Sequence, residues 1–136
     1  MITGGCACGA LRYRAEGQAM LQGFCHCRSC QRTSGGGHVG WLCFPDKDVT
    51  VEGETTVYTR TGGSGRQASR FACPVCLSVV YGTAEVMPGL INLYAGSLDD
   101  PAQFKPTMAI FVGERPPWDD VSRGLQCFET VPDVSS

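Results

Sequence analysis

Short apolar segments separated by glycine and proline form the main pattern of this chain. Leu11, Tyr13 and Ala15 alternate with charged neighbours, which predicts a strand with one buried and one solvated face. Other short segments rich in β-branched and aromatic residues also predict strands. These are residues 39–44, 49–52, 55–58, 78–82, 90–95 and 108–112.

The turns between these segments are marked by 18 glycines and eight prolines. Segments 49–52 and 55–58 flank Gly53 and predict a hairpin, and the glycine-rich residues 61–66 predict a hairpin loop. A helix signal is confined to Asp99, which can cap a turn over residues 100–104. Many short strands with frequent turns predict an all-β fold, with short antiparallel strands in packed or partly closed sheets.

Length and charge narrow the possible classes of protein. A chain of 136 residues predicts a single domain over residues 1–136, with a frayed end at residues 132–136. The formal net charge is −2 and Lys and Arg form no run, which argues against a nucleic-acid surface. No apolar stretch is long enough to span a membrane, and residues 1–5 lack a basic, apolar signal region. We therefore expect a cytoplasmic protein.

The spacing of the cysteines is the strongest indication of chemistry in this sequence. Seven of the nine cysteines fall in three tight clusters. Two closed zinc sites would need eight ligands, so seven cysteines can form one site with four ligands and one with three. A zinc ion with three protein ligands keeps an open position, where metal chemistry takes place. Disulfides are the other possibility, but the odd count and the expected reducing compartment disfavour them. The clusters are Cys6 and Cys8; Cys25, Cys27 and Cys30; and Cys73 and Cys76.

Two cysteines stand outside the clusters. Cys43 and Cys127 each lie in an apolar segment, and both are predicted to be small core residues.

Long motifs around the clusters resemble the glutathione-dependent formaldehyde-activating family, which also contains centromere protein V. The resemblance lies in residues 4–13, 25–35 and 70–76, and then in residues 96–106 and 117–118. It covers nearly the whole chain in the order and spacing of the family, and motifs of this length are specific. The chain is similar to the short members of the family rather than to the longer founding enzyme.

The resemblance implies a β-rich fold of the β-tent type with two zinc ions per chain. It assigns one structural zinc to the first and third clusters, with ligands Cys6, Cys8, Cys73 and Cys76. The second zinc belongs to Cys25, Cys27 and Cys30, which would form the catalytic site. One departure is Leu77, which stands where the family usually has glycine and must use another turn geometry or accept backbone strain.

The second zinc site is predicted to be open, with a thiol substrate as its fourth ligand. A coordinating thiol is deprotonated, which would place glutathione as a thiolate beside an electrophile. The other possibility is a structural site closed by a distant protein ligand. The candidate closing ligands are Cys43, Cys127, His26 and His38.

Glutathione carries two carboxylates, so its pocket needs cations. Arg32 and Arg28 flank the middle cluster and are the candidate substrate-binding residues, whereas Arg66 and Lys105 read as surface charges. Trp118 is predicted to cover the core rather than to line the pocket.

The resemblance implies a zinc-dependent carbon–sulfur lyase that acts on a glutathione adduct. The reaction would resemble that of S-(hydroxymethyl)glutathione synthase, with formaldehyde or a related electrophile as the second substrate. The alternative is a non-enzymatic zinc-binding module for a protein partner or a thiol ligand.

Overall fold

A computed structural model describes residues 1–61 and 65–132 of the chain. Eleven strands and one α-helix form within these ranges. Their bounds are β1 Ile2–Gly5, β2 Arg12–Ala15, β3 Leu21–Cys25, α1 Arg28–Ser34, β4 Val39–Pro45, β5 Val49–Glu52, β6 Thr56–Thr61, β7 Gln67–Ala72, β8 Val79–Ala84, β9 Leu90–Tyr94, β10 Met108–Ile110 and β11 Gln126–Cys127.

Over the described residues these strands form two sheets. The smaller sheet has the order β1-β2-β5, and the larger has the order β11-β10-β3-β4-β9-β8-β7-β6. Neighbouring strands are antiparallel, except that β10 runs parallel to both β3 and β11. An isolated bridge between Gly4 and Leu98 links the smaller sheet to the segment after β9. The all-β prediction is confirmed.

One core is shared by the two sheets. The predicted alternation along β2 is confirmed, because Leu11, Tyr13 and Ala15 are all buried. They pack in one cluster with residues of β4, β8 and β9, including the fully buried Phe44 and Leu93. Contact between the sheets therefore gives each of them its buried face.

The predicted hairpin around Gly53 is wrong. β5 pairs with β2 in the smaller sheet, whereas β6 pairs with β7 in the larger one. Gly53 has a φ of 106°, and a side chain there would meet the Ala10 carbonyl at 2.2 Å. The glycine thus passes the chain from one sheet to the other instead of reversing it within one sheet.

The predicted helical turn after Asp99 forms, but it is short and has another cap. It is a single 3₁₀ turn over Pro101–Gln103, and the Asp100 carboxylate accepts a hydrogen bond from the backbone N–H of Ala102 at 3.0 Å. Asp99 instead accepts a hydrogen bond from the Thr3 hydroxyl.

Two further sequence predictions reach beyond the described ranges. The loop predicted over residues 61–66 includes residues 62–64, and the predicted frayed end includes residues 133–136. Both of these stretches lie outside the described residues.

Candidate metal centres

Four cysteine sulfurs from distant parts of the chain meet at one point. Cys6 and Cys8 follow β1, while Cys73 and Cys76 lie between β7 and β8, and the four Sγ atoms lie within 4.8 Å of one another. The Sγ atoms of Cys6 and Cys8 are 3.6 Å apart, and those of Cys8 and Cys73 are 3.7 Å apart. Sulfurs at ~2.3 Å from a tetrahedral zinc ion are about 3.8 Å apart, so this set fits a closed zinc site.

Local backbone geometry turns these sulfurs inward. The N–H of Leu11 donates to the Cys6 Sγ at 3.2 Å, and the N–H of Val75 donates to the Cys73 Sγ at 3.4 Å. Such bonds stabilise negative charge on sulfur. Cys73 is fully buried and belongs to the shared core, so the cluster is part of the packing that joins the two sheets.

The middle cluster is built at the junction of β3 and α1. Cys25 ends β3, Cys27 caps the helix, and Cys30 lies in its first turn. The Cys27 Sγ accepts a hydrogen bond from the backbone N–H of Cys30 at 3.3 Å. The three Sγ atoms lie within 4.8 Å of one another. This set fits the three-sulfur half of the four-plus-three division.

A buried glutamine fixes the helix that carries this cluster. The Gln31 side-chain amide donates to the carbonyl of His26 at 2.8 Å and to that of Glu114 at 2.9 Å. The helix ends at Gly35, which has a φ of 76°. Contacts to the C-terminal part of the chain therefore hold a seven-residue helix that has no apolar stripe of its own.

Crowding of the three thiols favours a bound cation. Hydrogen bonds with the Cys25 and Cys30 thiols lower the pKa of Cys27, with a smaller contribution from the positive charge of Arg60. Hydrogen bonds with the Cys27 and Cys30 thiols raise the pKa of Cys25 far above its ordinary value. Three thiolates this close to one another would repel, so a metal ion between them would stabilise the set.

Sequence reasoning missed the cation that touches the middle cluster. Arg70 on β7 donates to the Cys30 Sγ at 3.5 Å and to the Ser29 hydroxyl at 2.8 Å. The Nε atoms of Arg70 and Arg60 are buried and have no hydrogen-bond partner among the described residues. Arg70 precedes the third cysteine cluster in sequence, and its place next to the second cluster arises only from the pairing of β7.

Replacing Arg70 should weaken metal binding at the middle cluster. Arg70→Gln removes a positive charge and an N–H donor from the Cys30 sulfur, and loss of such an outer partner typically costs about 10- to 100-fold in metal affinity. Competition with a chromophoric zinc chelator would measure the loss. Arg14→Gln, at an exposed position of β2, is the matched control. Equal zinc affinity in both variants would contradict the assigned role of Arg70.

No fourth ligand joins the middle cluster among the residues that the structure describes. Cys43 is buried in β4, as predicted, and is not grouped with the three sulfurs. Cys127 is exposed, and its Sγ contacts the Ser122 carbonyl, so its predicted core position is wrong. His26 and His38 form a separate group with Asp119.

The cations predicted to bind substrate lie on α1. The Arg28 guanidinium hydrogen-bonds the Gln31 side chain, and the Arg28 backbone N–H donates to the Glu114 carboxylate at 3.0 Å. Arg32 is exposed in the last turn of the helix. Lys105 is exposed after the 3₁₀ turn.

A cleft of about 600 Å³ lies between α1 and the turn that carries the third cysteine cluster. Thr33, one helical turn after Cys30, and Leu77, next to Cys76, both line it. Tyr94 forms part of its wall. A second cavity of about 230 Å³ shares Thr33 with it and is lined by Arg70. The second cavity is the one connected to the middle cluster, through Arg70, which contacts the Cys30 Sγ.

Leu77 adopts the left-handed backbone conformation that favours glycine. Its φ is 65°, and its N–H donates to the Cys73 carbonyl at 2.9 Å, which closes the turn around the third cluster. The side chain is 69% exposed, so its burial offsets little of this strain. The sequence left open whether Leu77 uses another turn geometry or accepts backbone strain, and the structure has backbone strain.

Leu77→Gly should therefore stabilise the fold. Left-handed geometry costs a non-glycine residue ~1–2 kcal/mol, and the extra chain entropy of glycine cancels part of the gain, which leaves an increase of roughly 0.5–1 kcal/mol. Chemical denaturation of the zinc-loaded protein would measure the free energy of unfolding. Val75→Gly, at an exposed position with negative φ in the same turn, should instead be destabilising. A loss of stability in Leu77→Gly would refute the strain.

Trp118 does not cover the core, so that prediction is wrong. Its side chain is 70% exposed. The neighbouring Asp119, by contrast, is buried against Gly37. The large apolar side chain of Trp118 suggested burial, but the backbone directs the side chain of Asp119 inward instead.

The fold and its cysteine clusters define a β-rich protein able to hold metal ions through sulfur. The sequence model of the family described as "Glutathione-dependent formaldehyde-activating enzyme" matches residues 1–114. The chain belongs to this family.

Two known proteins are similar to this chain. A Halomonas elongata protein is 27% identical over 143 residues, which cover 99% of this chain and 91% of that protein. It carries the provisional name "glutathione-dependent formaldehyde-activating enzyme". A crystal structure of a Rhodobacter sphaeroides protein has a TM-score of 0.58 at 20% identity, over 74% of this chain and 92% of that one. This second likeness bears on the fold alone. Among the described residues, no helix is long and apolar enough to cross a membrane.

Proposed function

We propose that this protein is a zinc-dependent carbon–sulfur lyase that acts on a glutathione adduct, in the manner of S-(hydroxymethyl)glutathione synthase. The observation that carries the proposal is the middle cluster, where Cys25, Cys27 and Cys30 converge and no fourth His, Cys, Asp or Glu of the described residues joins them. Membership of the family supports glutathione as the thiol.

The four-cysteine set formed by the first and third clusters and the three-cysteine middle cluster would have different roles. Cys6, Cys8, Cys73 and Cys76 would hold a structural zinc, and Cys25, Cys27 and Cys30 would hold the catalytic one. A zinc ion in the three-sulfur site would supply deprotonation of a substrate thiol and a fixed position for its sulfur.

The protein's own residues supply binding and orientation. Arg70 places a guanidinium against Cys30 and lines the smaller cavity, where its positive charge would attract a carboxylate. Arg32 and Arg28 provide further positive charge along α1. Thr33 and Tyr94 line the larger cleft and would confine the peptide. Most of the rate gain then comes from proximity, since thiols and formaldehyde already combine in water.

The reaction balances without a further reactant. In the synthetic direction the glutathione thiol loses its proton, its sulfur bonds to the formaldehyde carbon, and the carbonyl oxygen takes up one proton as the C=O π bond breaks. In the lyase direction the carbon–sulfur bond of the adduct breaks and its electron pair stays on sulfur, the hydroxyl proton leaves as the C=O bond forms again, and the sulfur takes up one proton. Neither direction needs an oxidant or a reductant.

The second candidate function is a non-enzymatic zinc module that binds a protein partner. One surface feature favours it: β6 is an edge strand of the larger sheet, and its Val57 and Tyr58 are 50% and 65% exposed. Exposed sheet edges with apolar side chains can accept a strand from another protein.

Exchange spectroscopy at chemical equilibrium tests the enzymatic proposal. With ¹³C-labelled formaldehyde and glutathione, the zinc-loaded protein should speed interconversion of free and adduct formaldehyde above the uncatalysed rate. Cys27→Ala should abolish the acceleration, whereas Cys127→Ala, which alters an exposed cysteine outside both clusters, should keep it. An exchange rate equal to the background would reject catalysis and favour the module.

A further inference from the structure

Both histidines of the chain lie beside one buried carboxylate. One ring nitrogen each of His26 and His38 and one carboxylate oxygen of Asp119 lie within 4.8 Å of one another. The His38 Nδ1 is 2.7 Å from the Asp119 Oδ2, and the His26 Nδ1 is 3.6 Å from the same oxygen. The three residues come from the β3–α1 junction, the start of β4 and the C-terminal segment, so only the fold brings them together.

Burial makes this group costly without a cation. His26 is fully buried and Asp119 is 7% exposed. Among the described residues, both ion pairs of Asp119 are with the two histidines, and neither Lys nor Arg reaches it. A buried carboxylate needs a positive partner, which here is a charged imidazole or a metal ion.

His26 has an unused ring nitrogen. Its Nδ1 lies 2.9 Å from the Gly37 carbonyl and therefore donates to it, which leaves the free electron pair on Nε2. That Nε2 is buried and has no hydrogen-bond partner among the described residues. Metal-ligating histidines commonly donate their second ring N–H to a backbone carbonyl in this way.

Asp119 is held in place from two sides. A side chain at position 37 would come within 2.2 Å of the Asp119 Oδ2, so Gly37 lets the carboxylate approach the backbone. The backbone N–H of Val121 donates to the Asp119 Oδ1 at 3.0 Å. The Asp119 carboxylate is therefore held in place before any ligand binds.

We propose that His26, His38 and Asp119 form a third metal site, which binds a divalent first-row transition ion such as Zn²⁺, Co²⁺ or Fe²⁺. Two imidazoles and one carboxylate suit these ions and leave coordination positions open. The His38 side chain is 31% exposed and lines the 600 Å³ cleft, which gives an ion a route to the site from that side. Unlike the two cysteine clusters, this site contains no sulfur.

Titration of the metal-free, reduced protein with Co²⁺ tests the proposal. We expect three equivalents to bind. The sulfur-to-cobalt charge-transfer absorption should stop growing after two, and the third equivalent should add only a weak ligand-field band. Asp119→Asn and His38→Ala should each lower the affinity for the third ion at least tenfold while the first two still bind, since loss of even an outer partner of a ligand costs about 10- to 100-fold.

Asp120→Asn is the matched control. Asp120 neighbours Asp119 in sequence but is exposed and pairs with Arg123 at 3.3 Å, so this variant should keep the third ion. Saturation of the wild type at two equivalents would overturn the proposal. Equal third-ion affinity in Asp119→Asn and the wild type would also overturn it, since the ion would then lie on another part of the surface. Asn has nearly the shape of Asp, so this comparison decides the matter even if His38→Ala fails to fold.

Discussion

Cys73→Ala is expected to unfold or aggregate the protein. Cys73 is fully buried in the core that the two sheets share, and its sulfur meets that of Cys8 at 3.7 Å. A structural zinc contributes on the order of 10 kcal/mol to folding, which is comparable with the whole stability of a small domain at about 5–15 kcal/mol. Circular dichroism with zinc analysis would show the loss.

Cys27→Ala is the control variant for this prediction. Cys27 caps α1 and is only partly buried, so its loss should leave the fold intact and remove one zinc per chain. A folded Cys73→Ala variant beside an unfolded Cys27→Ala variant would show that the structural and catalytic roles of the two clusters are exchanged.

Strand periodicity predicted most strands of the larger sheet but missed β3 and β7, which pair with them. β4, β8, β9 and β10 are apolar enough to stand out in sequence, and the structure confirms them. β3 contains Gly23 and Gln22, and β7 contains Arg70 and Ser69, so neither has a clear apolar pattern. These strands form because their neighbours in the sheet pair with them.

The helix escaped prediction for a related reason. It has no apolar stripe, and its cap is a cysteine sulfur rather than a Ser, Thr, Asn or Asp oxygen. Gly35, just past its end, was the available signal. Long-range hydrogen bonds from Gln31 stabilise it, and a sequence pattern contains no trace of them.

Cysteine spacing could single out sulfurs that the structure brings together, because the cysteines of each cluster are neighbours in sequence. The residues around them are not neighbours. Arg70 reaches Cys30 across 40 positions, and His38 reaches Asp119 across 81. Such contacts depend on strand order and register, which the apolar pattern left open.

Glutathione binding should depend on its free thiol and on cations near the middle cluster. S-methylglutathione should bind much more weakly, because its sulfur cannot become a thiolate. Arg32→Ala should weaken binding if that guanidinium pairs with a carboxylate. A hydrogen bond to a charged group is worth about 1.5–3 kcal/mol, or roughly ten- to a hundredfold in affinity. Arg14→Ala on β2 is the matched control, and equal affinity in both variants would remove Arg32 from the site.

Calorimetric titration of glutathione into the zinc-loaded protein tests whether the three-cysteine site binds the substrate thiol. We expect one saturable binding event in the wild type and none in Cys27→Ala, with the folded state of both verified beforehand. Absence of binding heat at millimolar glutathione, in a wild-type protein whose two cysteine clusters are both loaded, would contradict this expectation.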